Sequence, residues 1–474
     1  IIQQHLETYL RLAREDDWGG ERVPAYVERE FRHYLECGIL AYGFARARCP
    51  DCGHDFLVAF SCKGRSVCPS CNARRMAETA AHLVDHVIPP LPVRQWVLSV
   101  PKRLRWYLER EPHAVSAVLH ILLRVIEAHL RATIPAASPR ARLGAVSFVH
   151  RFGSALNRHV HFDETVLVLA LRAPAGAQIR SRRIGHCGII DGLFDPGEDG
   201  QVRFLQAPAP TTDEMAAITE QVRRRVLRWF ARSALLEPAE ARDMLSWAHG
   251  GFSLDAPVRI AGADRAGLER LLRYCARPPF ALERLAQINP HQLVYHLPKP
   301  RRDGRTTLVL SPLELIDALA ALISPPRRHR HRYHGVLAPN SPLRAAATGY
   351  GREEPPVLGT SEDRVSDRRE AENRLSSTLL WAMLLARLFE ALPLVCPNCG
   401  ANTCLPEEVR IIAFITEAAP VEQILLALGE PPRPPPISPA RGPPAWDEAP
   451  EPASDWDLVA QPELKLEFDQ RITW

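Results

Sequence analysis

The sequence predicts an α+β protein with an N-terminal zinc ribbon, an antiparallel sheet with packed helices, a helical C-terminal part and a disordered tail. Three observations carry that prediction. Two CxxC pairs, Cys49-Pro-Asp-Cys52 and Cys68-Pro-Ser-Cys71, stand near the start with fifteen residues between them. Residues 144–170 hold two β-rich runs, 146–152 and 159–169, joined by a Gly-Ser-Ala-Leu-Asn connection such as a hairpin or meander uses. Apolar residues at helical spacing flank that meander on both sides, as helices packed on one face of a sheet would require.

A chain of 474 residues is too long for one ordinary core. The expected domains are 1–90, a zinc-binding module; 91–300, the sheet domain; 301–430, a basic and helical region with a late cysteine knuckle; and 431–474, the tail. No run approaches the roughly eighteen apolar residues of a membrane span, and IIQQHLETYL is not a charged-then-apolar export signal. A cytoplasmic location without membrane association is expected, and because the first residue is Ile1 rather than Met, so is an upstream start. In a reducing cytosol the eleven cysteines would act as ligands rather than disulfides.

The formal charge of +4 is unevenly spread: residues 431–474 carry four basic and eight acidic side chains, leaving about +8 on the rest. Only four of the 59 basic residues are lysine. Arginine suits phosphate because its planar fork donates two parallel hydrogen bonds. A biased codon usage gives the same excess, so only clustered arginines point to a ligand.

In chain order, residues 1–35 read as short helices. Each CxxC is a tight turn that brings two thiolates to one side, and two such turns make a closed Zn²⁺ site from Cys49, Cys52, Cys68 and Cys71. Cys37, Cys62 and His54 are surplus ligands. A helix follows over 76–87, a strand over 95–100, and one or two helices over 103–134. In the meander, His159 and His161 project from one face of a strand, about 6.6 Å apart along it, and can converge on one divalent cation. Asp163 is about 13 Å along the strand from His159. His150, on the neighbouring run, is the easier third ligand. Two satisfied histidines on a half-exposed strand remain the bland alternative.

Further on, a strand is expected over 202–205 and an arginine-studded helix over 212–235. Residues 264–276 place Leu268, Leu271, Leu272 and Cys275 on one helix face, with Asp264 as N-cap and Pro278 as stop. Tyr274 falls in its last turn between Arg273 and Arg277. Residues 291–296 and 306–310 read as a hairpin whose basic loop, with Lys299, Arg301 and Arg302, could clamp a DNA strand; Tyr295 is a rival to Tyr274. A helix over 311–323 precedes the densest basic run, 327–333, where Arg327 and Arg328 are candidate phosphate contacts. Residues 341–370 read as a linker and 373–392 as a helix. Eight prolines between 431 and 444, with the acidic end, read as disordered.

The Cys-rich start, RFGSALNRHVHF, LERLLRYCARPPF, RYHGVLAPN at 332–340 and the late VCPNCG follow in this order over most of residues 30–430. Together they resemble the HUH-class rolling-circle insertion-sequence transposases, the insertion sequence 91 family. The resemblance implies an HUH-type sheet on which His159 and His161 hold Mg²⁺ or Mn²⁺, with Tyr274 as the nucleophile. It also implies cleavage and rejoining of single-stranded DNA at element ends through a 5′-phosphotyrosine, leaving a free 3′ hydroxyl. The best-known members carry two tyrosines four residues apart, whereas Arg270 and Pro278 flank Tyr274 at that spacing. The chain therefore resembles the single-tyrosine branch, in which strand release needs a free 3′ hydroxyl or a second subunit of a homo-oligomer. Asp163 stands where members often have histidine, and Cys399 is followed by Gly400-Ala-Asn-Thr-Cys404 rather than a basic, glycine-rich continuation.

Two other classes are open to these residues. A non-catalytic or decayed zinc-dependent DNA-binding protein needs only the knuckles and arginines. An HxHxD metallohydrolase shares His159, His161 and Asp163, but Glu164 stands where that motif needs histidine.

Overall fold

The computed structural model describes residues 1–15, 23–49, 52–64, 66–149, 156, 184–197, 201–247, 251–278, 280–297, 300, 304–352, 398 and 410–441. Contacts divide the chain into two compact units, each assembled from separated stretches. One comprises Ile1–His82, Ala276–Arg327 and Glu353–Pro443; the other comprises Leu83–Cys275, Arg328–Arg352 and Pro444–Trp474. The chain crosses from one unit to the other more than once.

In the first unit, helices Ile2–Leu12 and Ala25–Glu36 bury Leu6, Leu10, Val27 and Phe31 and are bridged by Arg32, which pairs with Glu7 at 2.9 Å and Glu28 at 2.8 Å. Strands Phe44–Arg48 and Asp55–Ala59 form an antiparallel hairpin, and Arg410–Ile415 pairs with the other edge of Phe44–Arg48. Helix Ala418–Leu428 packs Val421 and Leu425 on Phe44. Gly43 is required at the hairpin's entry: its φ is +110°, and a Cβ there would lie 2.8 Å from the Ile415 carbonyl. A second antiparallel meander joins Leu285–Asn289, Gln292–His296 and Thr307–Leu310. The first of these strands was not expected from the sequence. Helix Pro312–Leu322 follows, started by a Ser311–Glu314 capping box.

The proline-rich stretch, expected to be disordered from residue 431, is laid along the first helix as far as Arg441. Ser438 donates to the Gln3 carbonyl at 3.0 Å, Gln3 donates to the Pro436 carbonyl at 2.8 Å, and the Arg441 amide donates to Thr8 at 2.9 Å. Proline lacks an amide donor but keeps its carbonyl, so it can satisfy a helix flank without regular structure. Residues 442–474 lie outside the described ones.

The second unit is built on an antiparallel sheet in the order His331–Gly335, Gly144–Phe148, Ile184–Ile190, Val93–Ser99, Ser253–Asp255, with Arg259–Ile260 also pairing to Val93–Ser99. Register puts Trp96, Leu98, Ala145, Cys187 and Ile189 on one face, where they join the core formed by Lys102–Arg110, Pro112–Thr133 and Thr212–Arg232. Pro112 at the first position of its helix explains why the apolar stretch expected at 103–134 is two helices. Helix Pro112–Thr133 is long and apolar enough to cross a membrane by length and composition, and half of its apolar window is buried in this core. Val93, Val97, Val146 and Phe148, on the opposite face, are also buried. A hairpin, Gly192–Pro196 with Val202–Gln206, closes where the expected turn stands.

Two readings of local structure change. Residues 331–333 of the basic run belong to the sheet's edge strand, His331–Gly335, which pairs with Gly144–Phe148. The linker expected from residue 341 begins instead with helix Arg344–Gly349.

Candidate metal centre and tyrosine helix

Helix Ala25–Glu36 ends at Cys37, and Gly38, with φ +76°, turns the chain so that its amide donates to the Phe60 carbonyl at 3.0 Å. That bond sets Cys37 beside the open end of the Phe44–Ala59 hairpin, and Cys62 follows directly from it. The Cys62 amide points at Cys37 Sγ, 3.4 Å away. Cys68 precedes Pro69, the first residue of helix Pro69–His82, and Cys71 sits in its first turn. The helix start places partial positive charge near both sulfurs, which favours thiolate.

The four ligand atoms of Cys37, Cys62, Cys68 and Cys71 all lie within 4.8 Å of one another. Sγ–Sγ separations are 3.7 Å for Cys37–Cys71, 3.4 Å for Cys62–Cys71 and 3.6 Å for Cys37–Cys68. A tetrahedron with Zn–S near 2.3 Å needs roughly 3.8 Å between sulfurs. The donor set and its spacing therefore fit a structural Zn²⁺. With no cation, hydrogen bonds from Cys62 and Cys68 hold the Cys71 thiol well below its usual range, while those with Cys68 and Cys71 push Cys62 up.

The expected partners Cys49 and Cys52 are not in this cluster. They occupy the tip of the hairpin, where the Cys49 amide donates to the His54 carbonyl at 2.8 Å and Gly53 donates to the Cys49 carbonyl at 3.0 Å. Five cross-strand pairs separate the tip from the base, roughly 17 Å at the usual rise per residue. A CxxC at the tip cannot share an ion with a CxxC beyond the base. Reading residues 44–59 as one hairpin, from their alternation around Pro-Asp-Cys-Gly, would have revealed this and promoted Cys37 and Cys62.

The tyrosine lies on helix Arg265–Cys275 in the second unit. Asp264 caps it as expected, its Oδ1 accepting the Gly267 amide at 2.7 Å. Leu268, Leu272 and Cys275 are buried, which leaves Tyr274 half-buried in the last turn. Arg273 pairs with Glu269 at 2.7 Å along the same helix, and Arg277 is half-buried beyond the helix end. Arg265, at the first position, donates to the carbonyls of Ile88 at 2.7 Å and Pro89 at 3.1 Å, and also to that of Val84. Arg352 donates to the Ile88 and Val84 carbonyls at 3.0 and 3.1 Å and to that of Asp85. Two guanidinium groups thus cap the π-helical turn Leu83–Val87, and Arg265 moors the tyrosine helix to it. Sequence spacing carried no signal for this clamp.

Tyr295 is buried, 4% exposed, and stacked on Phe280 at 6.0 Å. Arg327 is exposed and Arg328 half-buried. His150, His159, His161, Asp163, Lys299, Arg301 and Arg302 lie outside the described residues, as do Cys396, Cys399 and Cys404. Among the described residues of the sheet, His334 accompanies the strand that would precede them: its Nε2 lies 2.8 Å from Ser147 Oγ, and burial, with His120 and Arg332 nearby, pushes its imidazole down to about 4.

Residues 1–100 match the transposase zinc-binding domain of insertion sequence 91 elements, and residues 184–344 match a transposase family, Y2_Tnp, described as "Putative transposase". Together the two cover more than half of the chain. The chain belongs to the insertion sequence 91 family of transposases. No curated protein and no solved structure matches it. The match to a zinc-binding domain and the four-cysteine cluster together support a structural Zn²⁺, and the four clustered cysteines, like Cys49 and Cys52, fall inside that match. The second match runs from strand Ile184–Ile190 through the tyrosine helix to the edge strand His331–Gly335.

Proposed function

We propose that this transposase cleaves and rejoins single-stranded DNA at insertion-sequence ends, with Tyr274 as the nucleophile. The observation that carries the proposal is the tyrosine helix: capped by Asp264, moored by Arg265 and packed through Leu268 and Leu272, it is rigid, yet it leaves Tyr274 only half-buried. In the step proposed, Tyr274 Oη attacks a backbone phosphorus and a P–Oη bond forms. The bond from phosphorus to the 3′ oxygen breaks, and the phenolic proton is transferred to that oxygen. The DNA 5′ end stays on the protein as a phosphotyrosine, which keeps the phosphodiester energy for rejoining. His159, His161 and His150 are the residues proposed to hold Mg²⁺ or Mn²⁺, which when bound draws electron density from the phosphate. With one tyrosine on the helix, release would use a free 3′ hydroxyl or a second copy of the chain.

The test is incubation of the full chain with single-stranded DNA labelled at the scissile phosphate itself, with Mg²⁺ or Mn²⁺, followed by a denaturing gel. A labelled protein band is expected for the wild type and none for Tyr274→Phe, which should still bind DNA. An adduct that persists in Tyr274→Phe moves the nucleophile elsewhere; no adduct with either metal favours the non-catalytic zinc DNA-binding reading.

A further inference from the structure

Helix Lys102–Arg110 follows directly from the central strand Val93–Ser99, and it has a face that core packing does not explain. Leu104, Arg105 and Leu108 are buried on its inner side. On the outer side Lys102, Trp106 and Arg110 fall at i, i+4 and i+8 and are all exposed. Trp106 is 54% exposed, an unusual position for the largest apolar side chain. Its indole is nevertheless held in place. Tyr107 meets it edge-on at 4.9 Å, and Tyr107 in turn meets the fully buried Phe230 at 5.9 Å. The Arg110 guanidinium lies over the indole, 4.4 Å from its centroid.

We infer that Trp106, with the Arg110 guanidinium stacked on one face of its indole, is a platform whose other face takes an unpaired base of single-stranded DNA, with Arg110 and Lys102 supplying positive charge toward the adjoining phosphates. The inference rests on the reading that the substrate is single-stranded. An exposed indole flanked one turn away on each side by a cation matches that ligand specifically: every base offers a π-face, and every nucleotide brings one phosphate. A protein partner would be expected to bury such an indole within a wider apolar patch. Here the neighbours along the stripe are charged. A duplex hides its base faces inside the stack, so the platform would favour single strands over double.

The test measures affinity of the full chain for an end-labelled thymidine oligonucleotide and for the same oligonucleotide with abasic sites, by fluorescence anisotropy. Trp106→Ala should weaken binding to the base-bearing strand by about 5- to 150-fold, the range for one stacked base. It should change binding to the abasic strand little, and Trp106→Phe should recover most of the loss. Leu104 and Leu108 are untouched by these changes, and an unaltered melting temperature would show that the variants fold. Unchanged affinity in Trp106→Ala overturns the inference. An equal loss on base-bearing and abasic strands also overturns it, since that would mean a contribution from surface charge or shape rather than stacking. Failure to form the Tyr274 adduct, with the Trp106 effect present, would count against the nuclease reading alone.

Discussion

Replacing Cys37 or Cys62 by serine should release the structural zinc, and replacing Cys49 or Cys52 should not. The magnitude follows from the geometry. Three measured sulfur–sulfur separations of 3.4–3.7 Å fall within a few tenths of an ångström of the zinc–thiolate tetrahedron, so little reorganisation opposes binding. Structural zinc contributes about 10–16 kcal/mol to small modules at neutral pH. A whole domain is stable by only about 5–15 kcal/mol. Loss of one ligand therefore threatens the folding of everything that the cluster ties together: the end of helix Ala25–Glu36, the base of the hairpin and the start of helix Pro69–His82. A change at the hairpin tip, some 17 Å away by strand rise, removes nothing from the ion.

The measurement is metal content per chain, together with the melting curve before and after a chelator. Wild type, Cys49→Ser and Cys52→Ser should keep the cluster's zinc and lose stability when it is chelated. Cys37→Ser and Cys62→Ser should start where chelated wild type ends. If Cys49→Ser lost the ion while Cys37→Ser kept it, the two-knuckle pairing would be right and the hairpin argument wrong.

Two further outcomes are expected. His334 is held neutral by burial, with its titration near 4 against an ordinary 6.5, so the folded state binds fewer protons than the unfolded one between those values. Its contribution is fully present above about pH 6.5 and is lost as pH falls toward 4, at most about 3 kcal/mol; His334→Gln should flatten that part of the denaturation profile, and an unchanged slope would refute the assignment. Arg265→Ala removes charged hydrogen bonds to the Ile88 and Pro89 carbonyls, each worth about 1.5–3 kcal/mol. Urea unfolding should show a loss of about 3 kcal/mol or more, and a loss under 0.5 kcal/mol would mean that the clamp is decorative.

What the sequence revealed about the fold was its local part. The tyrosine helix, its Asp264 cap, the Ser311 helix and the strand at Val93–Ser99 came within one or two residues of the expected bounds, because caps, prolines and apolar periods act within a turn or two. The meander in the first unit was legible only in two of its three strands, since Leu285–Asn289 is short and mostly exposed. The cysteines that cluster differ from the expected set for a different reason. CxxC spacing says which pairs of sulfurs are close, but which pairs meet depends on where the intervening chain turns. Cys37 is drawn into the site by one backbone bond, Gly38 to Phe60, which no spacing rule contains. Likewise, the prolines after residue 430 have a disordered composition and an ordered position, because the first helix offers them donors and acceptors.

Arginine content misleads about DNA in the same way. Guanidinium groups were read as phosphate forks, yet many of those described are occupied inside the protein. Arg105 donates twice to the Val100 carbonyl, at 3.1 and 2.9 Å, and Arg131 donates to Ala141 at 2.9 Å. Arg223, on the arginine-studded helix Thr212–Arg232, is turned to the carbonyls of Leu245 and Trp247, and Arg224 pairs with Glu220 at 2.6 Å. Arg94 and Arg259 both serve the buried Asp191. A fork with five donors can tie off several backbone carbonyls at once, which suits helix ends and strand exits in a chain with only four lysines. Phosphate binding is then better sought at exposed cations beside an exposed aromatic ring. Among the described residues, Lys102, Trp106 and Arg110 form such an exposed stripe. A phosphate-binding surface in this chain is better located by exposure and an aromatic neighbour than by the density of arginine in the sequence.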